Sequence, residues 1–286
     1  MVLEHIFKTK YLLFTRFRLI LYTALITIVS AFTAYVFFPD SASILTIAFI
    51  TMAFTYLMYS TYNMLEKQET GDYKFNLWKK YSFVFRAYAK IFIVIAFVFA
   101  IIFVAVPDDI RLSLFSDQLS TLKSISTVKD VVNTKLAYFS AKGEAFFSLI
   151  FFNNIQVLLA VIVLSFIYGA GAIFLIAYQA SILGVIIGSN VLSLVNTYLH
   201  FGAGAKVLAF AHATYLSFGI LPHGIFEIFA YFIGAVAGGI ISAMIVGHYY
   251  NNQKALRNTI MDVIILIMIS VICLFIGAII ESCLLI

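Results

Sequence analysis

The stretch LPHGIFEIFAYFIGAVAGGI, Leu221 to Ile240, is apolar along almost its whole length, yet Pro222, His223 and Glu227 sit at or just inside its start. About 20 apolar residues is the length of helix that crosses the hydrocarbon core of a bilayer. Pro222 suits the first turn of a helix, where its missing N–H costs nothing. The spacing of His223 and Glu227 puts both side chains on one helical face. The stretch therefore reads as a membrane span with a polar mouth, and that reading extends to the whole chain.

Composition agrees. Hydrophobic residues make up 63% of the 286 residues and charged residues only 11%, with a mean hydropathy of +1.06. Too little polar surface is available to coat a soluble globule of this size. In such a chain the net charge of +5 reads as the loop bias that orients a membrane protein, and nucleic acid is not expected as a partner. Cys273 and Cys283, if on one helix, lie about 15 Å apart, beyond the roughly 7 Å reach of a disulfide.

Full spans are expected at about 19–38, 42–64, 88–106, 153–178, 222–247 and 259–282, with an interrupted apolar region at 179–221. The basic start FKTKYLLFTRFR resembles a signal n-region, but the apolar run after it is too long and lacks a small-residue cleavage site, so it reads as a retained span. Lys8, Lys10, Arg16 and Arg18, and then Lys67, Lys74, Lys79, Lys80, Arg86 and Lys90, put the N-terminus and the 65–90 loop in the cytoplasm. That leaves 107–145 outside, as amphipathic helix at the interface or as a helical hairpin covering the bundle. The basic aromatic segment around Trp78, Tyr81 and Phe83 fits either a surface helix on anionic lipid or a solvated loop. Two complete crossings within 179–221 would carry Lys254 and Arg257 outside; one crossing plus a broken or re-entrant helix keeps them in the cytoplasm and the C-terminus outside. Irregular backbone at membrane depth must be buried in protein or line a wet cavity, so such a break points to a site.

The expected architecture is an all-α polytopic bundle of about six full spans plus a broken or re-entrant pair. It divides into an N-terminal three-helix segment 1–106, an extracytoplasmic loop 107–145, a membrane core 146–250 and a C-terminal span 251–286.

Polar residues gather in the core segment: Asn153, Asn154, Asn190, His212, His223 and Glu227. Ionisable groups at membrane depth are costly, and are paired or functional. Three chemistries fit the cluster. It locks discontinuous helices by hydrogen bonding, it carries a proton or small ion, or His212, His223 and Glu227 hold Zn or another divalent cation as an intramembrane hydrolase would. Gly184 and Gly188, and Gly234 and Gly238, are small residues four apart that permit close helix packing, within one chain or across a homodimer. No P-loop, HExxH or GxSxG motif occurs.

The pair Asn153-Asn154, the run Phe166, Gly169, Gly171, then Gly188 with Asn190, and above all Pro222, His223, Gly224 and Glu227, resemble the stage II sporulation protein M family of polytopic membrane proteins. The resemblance covers about residues 145–250 and departs at Val191, where the family commonly has glycine. It implies a membrane core with a polar cluster, in the bilayer, alongside membrane or cell-envelope protein partners. The sporulation member works with two cell-wall-processing partners in engulfment, but the family also occurs in organisms that form no spores, so that role does not transfer.

Overall fold

The computed structural model describes residues 16–66, 77–124, 139–165, 170–197, 222–246 and 253–284, with single positions between 204 and 215. The helices are α1 (Arg16–Phe37), α2 (Ala42–Glu66), α3 (Leu77–Ala105), the short α4 (Asp108–Leu114), α5 (Phe139–Ser165), α6 (Ala170–Thr197), α7 (Pro222–Val246) and α8 (Gln253–Leu284). Among the described residues there is no strand. All but α4 are long and apolar enough to cross a bilayer. Hydrocarbon offers the backbone no partners, so a chain of this composition satisfies its N–H and C=O groups inside each segment, as helix. The hydroxyls buried in these helices are satisfied the same way: Thr23, Thr27, Thr46, Thr51 and Thr61 each donate to the carbonyl four residues back, at 2.7–2.8 Å.

The expected fourth span, 153–178, is corrected. Its first half belongs to α5 and its second to α6, with residues 166–169 between them. An apolar run cannot signal a break made within it, since the same residue types fill both helices. The apolar part of 179–221 also differs from expectation at its start, because α6 continues unbroken through Gly184, Gly188 and Asn190 to Thr197. The expected break HFGAGAK falls almost wholly outside the described residues.

Glycines set the closest helix contacts. A Cβ at Gly184 would lie 2.7 Å from the carbonyl oxygen of Ala96, and one at Gly188 2.7 Å from the Phe103 ring. The same test at Gly234 meets Leu158 at 2.4 Å, and at Gly238 meets Ser165 at 2.3 Å. Each pair climbs both helices in the same sense, so α6 runs parallel to α3 and α7 parallel to α5. Only residues 166–169 separate α5 from α6, and the two long helices pack on each other, so they run antiparallel. Thr197 and Pro222, the end of α6 and the start of α7, therefore lie at the same end of the bundle.

The most enclosed of the long helices is α7. Its Phe232 stacks on Tyr88 and meets Phe92 edge-on, which fixes α7 against α3. At one end of the bundle the chain after α3 folds back over it. Arg111 donates to the carbonyls of Phe103 (2.7 Å) and Val106 (2.8 Å), pairs with Asp108, and sets its guanidinium over the Phe103 ring. Phe115 is then fully buried against Phe99 and Phe103.

Candidate functional site

On α7, Glu227, Tyr231, Gly234 and Gly238 follow at steps of four, three and four residues, which is one helical face. The two glycines let that face approach α5 closely, and the approach brings Asn154 of α5 between the polar residues. Asn154, 5% exposed, uses both ends of its amide: Nδ2 donates to Glu227 Oε1 at 2.5 Å, and Oδ1 accepts from the Tyr231 hydroxyl at 2.8 Å. An amide is the side chain that can serve a carboxylate and a hydroxyl at once, since it carries a donor and an acceptor on one planar group. Glu281, near the end of α8, lies close enough to Glu227 and Tyr231 to interact with both electrostatically. The site thus joins α5, α7 and α8, with Leu158, Ala230, Tyr231 and Leu274 packed beside it.

The other residues expected in the cluster fall elsewhere. Asn153 is exposed, one position round the helix from Asn154. Asn190 is half-buried near the end of α6, two residues beyond the glycine that packs on Phe103. His212 is exposed, in a stretch whose described positions Val207, Leu208 and Tyr215 are exposed as well. His223 lies in the first turn of α7, with its side chain outside the described residues. Among the described residues no group of three His, Cys, Asp or Glu is close enough to hold a metal ion. Of the other glycines singled out in the sequence, Gly224 is buried on α7, while Gly169 and the surroundings of Gly171 are outside the described residues.

Three polar contacts went unread in the sequence. Glu281 is an acid within an apolar span, and the cost of such a residue is the signal that could have found it. The same signal marks Asp262, 2% exposed on α8, whose Oδ2 accepts from the buried Tyr81 hydroxyl of α3 at 3.2 Å. The third has no local signature. Gln118 is 1% exposed; its Oε1 accepts from Ser43 at the start of α2 (2.7 Å) and its Nε2 donates to Ser181 of α6 (2.9 Å). Thr121, a turn further on, meets the Tyr178 hydroxyl at 3.0 Å. Among the described residues only Ser242, on α7, leaves a buried side-chain polar atom without a hydrogen bond.

A family model described as stage II sporulation protein M matches residues 23–284 of this chain, well beyond the 145–250 region in which the motifs lie. No curated protein and no solved structure matches it.

Proposed function

The chain belongs to the stage II sporulation protein M family, and from that premise we propose that this multi-pass membrane protein is a non-enzymatic scaffold or assembly factor. Its polar cluster holds the helices of the membrane core in register. The observation that carries this reading is Asn154, whose amide is shared between Glu227 and Tyr231. A buried polar group with all its partners inside the protein fixes helix position and rotation, which is what a binding platform for other envelope proteins needs. Its N-terminus and Lys254 face the cytoplasm on this reading, following the Lys and Arg bias.

A second reading, transport of a proton or small cation, is favoured by a different observation: the carboxyls of Glu227 and Glu281 interact across α7 and α8. Two acids near each other on apolar helices attract a cation or share a proton.

Substitution at Glu227 separates the two. Glu227→Gln keeps an oxygen that accepts from Asn154 but removes the charge, whereas Glu227→Ala strands the Asn154 donor, at a typical cost of about 1–3 kcal/mol. A scaffold keeps wild-type detergent stability with Gln and loses it with Ala. Transport predicts proton or sodium flux in proteoliposomes that Gln abolishes. No flux in the wild type, with Gln stable and Ala unstable, supports the scaffold; flux lost with Gln overturns it.

A further inference from the structure

A shallow groove of about 340 Å³ runs along one face of α8, lined by Gln253, Leu256, Arg257, Ile260, Met261 and Ile264. Those positions recur at three- and four-residue steps, a single stripe of the helix. From Gln253 to Ile264 the stripe is about 16 Å long at 1.5 Å per residue, which is close to half of the roughly 30 Å hydrocarbon core and so to the depth of one leaflet. Its polar end is Gln253 and Arg257, at the boundary where the apolar window Leu256–Cys283 begins. Everything deeper is aliphatic or thioether.

Among the described residues Arg257 is exposed and makes no ion pair. The nearest acid on the same helix, Asp262, is turned into the bundle towards Tyr81 of α3 and so faces away from the groove. The Tyr81–Asp262 contact also shows that α8 starts at the same end of the bundle as α3, where the exposed Arg86 lies. A guanidinium at the membrane boundary, above an apolar trough one leaflet deep, complements a molecule with a phosphate at one end and an acyl chain at the other. A net negative headgroup matches it better than a zwitterionic one, because among the described residues no carboxylate lines the groove.

We propose that this face of α8 binds one anionic phospholipid, with the headgroup phosphate on Arg257 and an acyl chain along Leu256, Ile260, Met261 and Ile264. The test uses the full chain in detergent, titrated with dioleoylphosphatidylglycerol or dioleoylphosphatidylcholine and read by native mass spectrometry. Arg257→Gln removes the proposed contact, while Arg86→Gln removes an equal charge at the same end of the bundle but off the groove. The expected result is one retained phosphatidylglycerol per chain, little phosphatidylcholine, and binding weakened roughly fivefold by Arg257→Gln, the effect of one cation near an anionic surface, with Arg86→Gln as wild type. Equal retention of the two lipids, unchanged binding in Arg257→Gln, or an equal loss in Arg86→Gln would each overturn the assignment, the last by reducing it to general basic attraction. Thermal unfolding of both variants confirms that each is folded when the lipids are compared.

Discussion

Replacing Asn154 with leucine, a side chain of similar size without polar atoms, tests whether the shared amide holds α5 and α7 together. The substitution strands two groups. Tyr231 is 5% exposed, so its hydroxyl should carry most of the penalty of about 1–3 kcal/mol for a buried unpaired group. Glu227 is half-buried and can recover part of its solvation, so its share falls at or below the low end. The sum is about 1–4 kcal/mol. Interhelical hydrogen bonds in membranes average only about 0.6 kcal/mol, with a maximum near 1.7, because the unfolded chain in lipid also finds partners; the lower half of the range is therefore expected. Tyr231→Phe removes the hydroxyl that Asn154→Leu would strand, so the double variant should be less destabilised than the sum of the singles by about 0.6–1.7 kcal/mol. Reversible unfolding in mixed detergent and SDS micelles, over the four-variant cycle, measures that coupling. Single effects that add to within about 0.3 kcal/mol, or an Asn154→Leu cost below about 0.5 kcal/mol, would refute the shared-amide account.

The glycine contacts give a second expectation: Gly184→Ala, whose Cβ meets backbone at 2.7 Å, should cost about 1–3 kcal/mol by overpacking, whereas Gly204→Ala, with nothing within 4 Å, should stay within about 0.5 kcal/mol in the same unfolding assay. Gln118→Leu should remove its hydrogen bonds with Ser43 and Ser181 and raise protease cleavage in the 107–124 segment, with α2 and α6 otherwise intact; an unchanged digestion pattern would show that the Arg111, Phe115 and Thr121 contacts suffice to hold the segment down. For topology, single cysteines at Val2, Ile125 and Lys254 should react with a membrane-impermeant maleimide from outside only at Ile125. Labelling of Ile125 from the cytoplasmic side alone would invert the orientation.

Fold class was legible because apolar length is a direct signal of a span, and five of the seven long helices overlap an expected one in large part, while the fourth expected span is divided between α5 and α6. Helix α6 was hidden because Phe147–Ser165 and Ala172–Leu194 are almost equally apolar and the residues between them are mainly apolar too, so hydropathy carries no mark of where one helix gives way to the next. The contact between Asn154 and Glu227 involves two residues singled out from cost alone. Tyr231 escaped notice because tyrosine is ordinary in membrane chains; its role appears only when Gly234 and Gly238 bring α5 within reach of that face. Asn153 shows the limit of adjacency, since neighbouring asparagines on a helix point about 100° apart and only one can enter the seam.

The two acids of α8 bear on why a membrane helix would keep charge in its interior. Asp262 and Glu281 are 19 residues apart, so about 28 Å along the axis, and they reach different neighbours: Tyr81 of α3 at one end, Glu227 and Tyr231 of α7 at the other. Between them α8 offers mainly aliphatic side chains, many exposed, and lipid is as good a neighbour for those as protein is. Apolar packing alone would leave the rotation and depth of α8 weakly specified. The Tyr81–Asp262 hydrogen bond removes that freedom at one end, because turning the helix by one residue would point the Asp262 carboxyl away from its partner. Buried polar groups are known to specify register at some cost in stability, and here that role needs neither acid to touch a ligand. It also explains why the groove with Arg257 lies on the outer side of α8: once Asp262 is committed inward, the residues of the opposite face are held towards the lipid.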